Sequence, residues 1–368
     1  MKTLYLTHDI HADGGIQRYS RYQVRALEEL CGSGSVLVCS LHGGEREGGP
    51  VITLAGGGPG LIPKLRFAAG VIRLARRDRP SLILATHVNL APLAWLLARL
   101  ISVPYWVNVY AIEVWGRLSR SKRHALRNAA LVISDCRFTC DLLRDRFPEL
   151  RDRVEVVEDC VDCLEFSPGP PRNGHERPSV LTVSRLAQGR SKGHDRVFES
   201  LARLRRDGLG FRYIVAGDGA DRLRLEGRAT DLGIADDVVF TGRVPDDRLP
   251  SIYRNADIFV LVSAFSLEPE APLGEGVPLV VLEAQACGRP VITSRLDGSR
   301  ESIADGRTGI LVDPDDVDEI AAALRRLLVD AELRHRYGTE AALFARERFS
   351  YPVFCERHRQ LLETAALA

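Results

Sequence analysis

Short apolar runs alternate along the chain with longer stretches in which apolar residues recur every three or four positions. The first pattern is that of a strand buried on both faces, and the second that of an amphipathic helix. In the first half the strand pattern covers 3–6, 35–39, 51–54, 81–85, 105–109, 131–134 and 154–157. The helical pattern covers 16–30, 64–77, 90–101, 119–128 and 137–147. Residues 167–174, S-P-G-P-P-R-N-G, form a Pro- and Gly-rich break. Beyond it come strands at 179–183, 213–216, 238–241, 258–262, 290–293 and 309–312. Helices are expected from 193, then at 221–232, 246–255, 279–287, 317–328 and 331–348. The pattern predicts an α/β protein with two doubly wound domains, 1–166 and 179–350, joined by a linker at 167–178. Open parallel sheets bind ligands beyond the carboxyl ends of their strands, so two such edges are expected to face one cleft.

Composition narrows the function classes. The chain has 368 residues, 45% hydrophobic and 27% charged, enough for a core in each half. Fifty Lys and Arg stand against 49 Asp and Glu. A net charge of +1 argues against a dedicated nucleic-acid binder. No apolar run reaches 18 residues, and the start, MKTLYLTHDI, reads as a strand rather than a signal peptide. The expected location is the cytoplasm. Between 61 and 127 the balance shifts to 12 Lys and Arg against Asp78 and Glu113. The helix at 64–77 mixes Leu65, Phe67, Val71 and Leu74 with its basic residues. It is read either as a solvated basic face or as peripheral contact, through 64–127, with the inner face of the cell membrane. Eight cysteines without an export signal read as reduced thiols. Cys136 and Cys140, with Cys160 and Cys163, have metal-like spacing, but no further His or Cys motif supports zinc, and the expected metal complement is none.

Candidate chemistry concentrates in the second half. Glu275 and Glu283 sit eight apart in E-G-V-P-L-V-V-L-E. Pro278 suits the first turn of a helix, so the helix starts between the two acids and directs free N–H groups into the expected cleft. That arrangement suits an anion plus a polyol: Glu283 for a ribose diol, Glu275 with the N–H groups of Val277 and Leu279 for sugar hydroxyls. Arg185 and Lys192 follow a strand and open a helix, as cations placed for a diphosphate leaving group. Gly217-Asp218-Gly219 is a tight turn, but Arg222 occupies the place of a third glycine, so a dinucleotide fingerprint is absent. Gly14 and Gly15 open the first helix, where the backbone can approach a phosphate or sugar closely.

Taken in order, these residues resemble the retaining nucleotide-sugar glycosyltransferases of family four. The resemblance extends through 157–162, V-E-D-C-V-D, and 239–242, V-F-T-G. It continues through 253–257, Y-R-N-A-D, the E-x7-E pair, and 297–301, D-G-S-R-E. It implies a GT-B fold of two tandem Rossmann-like domains, with a last helix over 351–368 returning to the first. It implies donor diphosphate on Arg185 and Lys192, ribose on Glu283, and donor sugar on Glu275. The segment Gly242, Arg243 and Val244 would line the base pocket. The family often has His-Gly after the fifth strand, where this chain has Tyr110 and Ala111. A Tyr has an ordinary pKa of about 10 and is no base near pH 7. Either Tyr110 only positions the donor, or Glu113 or His87 serves the acceptor. Asp159 and Cys160 replace the usual Asn-Gly, and Val277-Pro278 a commoner aromatic-Gly pair. The loop 263–274, with Glu268 and Glu270, is long and acidic, and reads either as facing a cationic acceptor or as solvated.

The resulting expectation is a metal-independent, retaining hexosyltransferase without a tightly bound cofactor. Its donor is a UDP- or GDP-sugar, with UDP slightly ahead on family frequency. Its acceptor is a glycan, a lipid-linked glycan or a small molecule. The rivals are a sugar phosphorylase or nucleotide-sugar epimerase on the same fold, and a non-catalytic nucleotide-sugar-binding subunit.

Overall fold

The computed structural model describes residues 1–12, 14–43, 51–53, 60–169, 177–187 and 192–367. Most of the expected 167–178 linker, and Asp13 beside Gly14, lie outside the described residues. The chain divides into two units, one of Met1–Asp159 with Pro352–Ala368, the other of Cys160–Tyr351.

The first unit runs β1 (Thr3–Thr7), α1 (Gly15–Cys31), β2 (Val36–Ser40), β3 (Val51–Thr53), α2 (Leu61–Asp78), β4 (Leu82–Ala85) and α3 (Ala91–Ile101). It continues with β5 (Tyr105–Val109), α4 (Ile112–Trp115), α5 (Arg120–Arg127), β6 (Leu131–Ser134), α6 (Arg137–Arg146) and β7 (Val154–Val156). Its seven strands are parallel, in the order β3-β2-β1-β4-β5-β6-β7. β1, β4 and β5 are buried along their whole length, as continuous apolar runs covered on both faces should be.

The second unit contains β8 (Ser179–Val183), α7 (His194–Arg206), β9 (Arg212–Ala216), α8 (Arg222–Asp231), β10 (Val238–Gly242), α9 (Leu249–Arg254) and β11 (Ile258–Leu261). Then come α10 (Leu279–Ala286), β12 (Val291–Ser294), β13 (Gly309–Val312), α11 (Val317–Val329) and α12 (Ala331–Phe349), after which the chain leaves the unit through α13 (Tyr351–Leu367). Its parallel sheet has the order β10-β9-β8-β11-β12-β13. In each sheet the order reverses once, between β1 and β4 and between β8 and β11. Those are the switch points at which loops diverge and leave room for a ligand.

The boundary falls before 160 rather than at 166. Val161 pairs with Ser350, its N–H donating to Phe349 O at 2.8 Å, and Phe166 stacks edge-on with Tyr253. These contacts draw 160–166 into the second unit. From Pro352 onward α13 belongs to the first unit. There Phe354 meets Tyr19 edge to face at 5.3 Å, Arg357 pairs with Glu158 at 2.7 Å, and His358 is buried against Gln23. Gln23 anchors this seam: its Oε1 accepts from Tyr5 Oη (2.9 Å) and Asn108 Nδ2 (2.6 Å), and its Nε2 donates to His358 Nε2 (3.0 Å). The remaining ring nitrogen, Nδ1–H, donates to Phe354 O at 3.0 Å.

Candidate active site

The candidate residues of the second unit follow the carboxyl ends of β8, β9, β10, β11 and β12, which lie at one edge because the strands are parallel. Gly193 has a φ of +80°, and a Cβ there would lie 2.1 Å from Val262 O. Only glycine permits that approach. It carries Lys192 to the end of β11, where Lys192 Nζ forms an ion pair with Glu275 Oε1. Ser263 Oγ donates to the same Oε1 at 2.7 Å. The backbone of Glu275 is held from both sides: its N–H donates to Asp297 Oδ2 at 2.8 Å, and Gly298 N donates to its carbonyl at 3.1 Å. Asp297 Oδ1 accepts from Ser299 N at 3.0 Å. Asp297 is fully buried, and burial, with the Glu275 charge beside it, pushes its carboxyl up to about 7.

Lys192, Ser263, Glu275 and Asp297 are therefore one cluster, assembled from three loops. Sequence reasoning named two of the four. Arg185 is exposed at the end of β8 and makes no hydrogen bond or ion pair with a described residue. Beneath it lies a buried chain of hydroxyls. Thr182 Oγ1 donates to Val260 O at 2.7 Å, so the Tyr213 hydroxyl donates to Thr182 at 2.8 Å. Tyr213 then accepts from His194 Nδ1 at 3.2 Å, and His194 Nε2 accepts from Ser184 Oγ at 2.9 Å. This order requires a neutral imidazole, and burial lowers His194 to about 4. The relay fixes Ser184, the residue before Arg185. Sequence reasoning assigned neither His194 nor Asp297 a role, though Asp297 opens the quoted 297–301 motif and His194 lies two residues after Lys192.

Gly217, with φ +144°, lies so close to β8 that a Cβ would stand 1.8 Å from Ser184 O. Its N–H donates to Gly242 O at 2.9 Å, joining the turn after β9 to the end of β10. Arg243 is exposed and Val244 half-buried just beyond. Pro278 is the N-cap of α10, one residue before the helix rather than inside its first turn. Val277 and Leu279 are buried.

Glu283 departs from expectation. α10 is enclosed on nearly every side, and Glu283 is wholly buried, its Oε2 accepting from Tyr253 Oη at 2.7 Å. The carboxylate presents no surface to a ribose. In this structure it ties α10 to α9.

In the first unit Gly14 (φ +148°) is the N-cap of α1, and nothing stands within 4 Å of a Cβ built on the exposed Gly15. His87 follows β4, half-buried, with Nδ1 accepting from Asn89 N at 3.1 Å. Tyr110 and Glu113 differ from the expected acceptor groups. Tyr110 is turned inward, edge to face with Tyr19 at 5.5 Å, and burial raises its hydroxyl well above the ordinary value. Glu113 accepts from Tyr110 N (2.6 Å) and Ala111 N (3.1 Å), which closes the turn before α4. The four spaced cysteines lie in separate local contacts, Cys136 with Thr139, Cys140 with Val154 O and Cys163 with Val161 O among them. Among the described residues no group of three His, Cys, Asp or Glu is placed to hold a metal. The loop after β11 folds back on itself through paired Ser266 and Leu273.

On α2 the buried residues are Phe67, Val71, Leu74 and Ala75, which face the core. The exposed large apolar residues lie among its first five residues, Leu61 (71%), Ile62 (65%) and Leu65 (59%), flanking Lys64. Among the described residues no helix is long and apolar enough to cross a membrane.

Comparison with known proteins agrees with this layout. A family model described as glycosyl transferases group 1 matches residues 166–344, and one described as a glycosyl transferase 4-like domain matches 14–160. The chain is 31% identical over 317 residues to a GDP-mannose-dependent alpha-(1-6)-phosphatidylinositol monomannoside mannosyltransferase of Mycolicibacterium smegmatis. That alignment covers 82% of this chain and 81% of the relative. It is 29% identical to the alpha-D-kanosaminyltransferase of Streptomyces kanamyceticus, over 70% of this chain and 69% of the other. The structure superposes on sucrose-phosphate synthase from Thermosynechococcus elongatus with a TM-score of 0.83 at 21% identity, covering both chains fully.

Proposed function

For this chain, which belongs to the family-four-like glycosyltransferases and has their GT-B fold, we propose transfer of a hexosyl group from a nucleoside-diphosphate sugar with retention. The observation that carries the donor site is the cluster of Lys192, Ser263 and Glu275 at the sheet's switch point, with Arg185 exposed on the adjoining loop. Departure of the diphosphate is the demanding step, and positive charge fixed where negative charge develops is the strongest way to lower that barrier. Lys192 exchanges Glu275 for the diphosphate, Arg185 joins it, and Glu275 is left to receive a donor-sugar hydroxyl. The two cations supply the charge a divalent metal would otherwise supply, so activity should survive chelation. The leaving phosphate takes the acceptor proton on the same face. Neither Tyr110 nor Glu113 is required as a base. Glu283 acts from behind: by binding Tyr253 it holds α9, which follows Gly242–Val244, against α10.

The Mycolicibacterium smegmatis relative uses GDP-mannose by name, which moves the preferred donor from a UDP-sugar to a GDP-hexose. The same comparison favours a lipid-linked acceptor. The exposed first turn of α2, apolar with Lys64 and Arg66 beside it, is the element that would rest on an anionic bilayer. Calorimetry with GDP, UDP and ADP tests the donor class. Binding of none of them to the folded protein would refute the proposal. Flotation with phosphatidylinositol-containing vesicles, against a Leu61→Ser, Ile62→Ser, Leu65→Ser variant, tests the membrane contact. Equal flotation of the two would refute it.

A further inference from the structure

Arg185 and Lys192 lie on one segment of chain, and its two ends are anchored separately. At the Arg185 end the turn after β9 does the holding. Ser184 N donates to Ala216 O at 3.0 Å, Leu186 N to Asp218 O at 3.0 Å, and Asp221 N to Leu186 O at 2.9 Å. The residues on either side of Arg185 are thus fixed by their backbone. At the Lys192 end the anchor is β11, through the close approach of Gly193 to Val262 O.

His194 joins the two anchorages. It is the first residue of α7, two after Lys192, and its Nε2 accepts from Ser184 Oγ at 2.9 Å. Its other nitrogen opens a chain of hydroxyls. Nδ1 donates to Tyr213 Oη (3.2 Å), Tyr213 to Thr182 Oγ1 (2.8 Å), and Thr182 to Val260 O (2.7 Å). The imidazole is therefore held from β8, β9 and β11 at once, and it is buried. Packing against Phe198 would be met equally by an apolar ring. A hydrogen-bonding ring carries a desolvation cost that its partners must offset. Here the partner on one side is the residue that precedes Arg185.

Two cations serve one diphosphate well when their separation matches it. A misplacement of about 1 Å by a distant substitution can cost about 10²-fold in rate. We propose that His194 is a positioning residue for the donor diphosphate: through Ser184 it fixes Arg185 relative to Lys192, so that both cations meet the leaving group together. The inference rests on the proposed diphosphate site. His194 acts through Ser184 and not on the substrate. Its bonds are complete in the free protein, so the two cations are placed before the donor arrives, and binding does not have to supply the ordering.

The test is a double-substitution cycle on the full chain, read by calorimetry with GDP and UDP and by a thermal melt. Ser184→Ala removes the link and leaves His194 and the Tyr213 chain in place. It should weaken nucleoside diphosphate about tenfold, as one charged hydrogen bond loses its alignment. In an Arg185→Ala background the same substitution should change binding by less than about twofold, because no guanidinium remains to be aligned. The melt should shift equally in both backgrounds. His194→Gln keeps an acceptor near the Nε2 position, and His194→Asn keeps a donor near the Nδ1 position. Each gives up one of the ring's two hydrogen bonds, yet His194→Gln should bind diphosphate several-fold more tightly than His194→Asn. Unchanged binding in Ser184→Ala, or an equal loss with and without Arg185, overturns the inference and leaves the relay a purely structural one. So does His194→Asn binding as tightly as His194→Gln. A parent protein that binds neither GDP nor UDP refutes the donor reading, and this inference with it. Binding by the parent, with equal losses in the cycle, overturns the inference alone.

Discussion

Replacing Lys192 by Ala distinguishes a functional cation from a structural one, because the two roles predict losses of different size. In the free protein the ion pair with Glu275 is partly open, with side chains 28% and 17% exposed. Pairs at or near the surface contribute up to about 1 kcal/mol. Glu275 also keeps the Ser263 hydroxyl at 2.7 Å and both backbone clamps after the substitution. The folding cost should be about 1 kcal/mol at most, a shift of roughly 2–4 °C in Tm for a domain of this size. The ligand-bound state loses more. A hydrogen bond from a charged group contributes about 1.5–3 kcal/mol, so nucleoside diphosphate should bind roughly 10- to 150-fold more weakly. Removing a donor aimed at charge developing in the transition state costs about 2.7–4 kcal/mol, or roughly 10²–10³ in kcat.

Three measurements on one preparation give the answer: a thermal melt, calorimetry with GDP and UDP, and turnover followed by release of nucleoside diphosphate. Arg185→Ala is the companion variant. Arg185 has no partner among the described residues, so its loss should leave the melt within about 0.5 kcal/mol of the original. Its effect on turnover should match that of Lys192→Ala. The reasoning fails if Lys192→Ala melts several degrees lower yet binds nucleotide and turns over within about threefold of the parent. Lys192 would then serve only to balance Glu275.

Three other outcomes follow from buried groups. Asp297 has a folded pKa raised from 3.8 to about 7, so it contributes stability that is complete below pH 4 and lost as pH rises to about 7. Asp297→Asn should flatten that part of the urea-midpoint profile. His8, His87, His194 and His358 are all lowered from 6.5 to about 4, chiefly by burial. They contribute stability above pH 6.5 that is lost as pH falls through about 4, so the protein should be acid-labile. A profile that stays level from pH 6.5 to 4 would contradict this. Gln23→Leu removes one hydrogen-bond partner from each of Tyr5, Asn108 and His358, while Tyr5 keeps Ser20 O and His358 keeps Phe354 O, at about 0.5–1.5 kcal/mol per lost bond before relaxation. Hydrogen exchange should report faster opening of α13 than in the parent protein.

What was legible in the sequence is what local pattern determines. Each strand is a short apolar run, so β1, β5, β6 and β8 fall within a residue or so of where hydrophobicity places them. Lys192 and Glu275 could be nominated because each lies in a loop with a recognisable neighbour, a helix-opening glycine and a helix-capping proline. Their meeting across 83 residues was not visible in either segment. The same limit explains the residues whose surroundings differ from the expectation. Tyr110 follows a strand, where a polar aromatic commonly faces a ligand, but Tyr19 packs against it and Phe354 covers Tyr19. Its cover comes from a helix at the far end of the chain. Glu283 was placed in the cleft by its spacing from Glu275. What encloses it is the burial of α10 on nearly every side, including the approach of α12, where a Cβ on Gly338 would lie 2.3 Å from Gly288 O. His194 was passed over because its relay depends on strand order. β9 and β10 lie between β8 and β11 in sequence, yet β11 is beside β8 in the sheet. That crossover brings Thr182 against Val260 O, which orients the relay. A switch point is a property of strand order, so residues that act there are visible singly in the sequence and as a site only once the order is known.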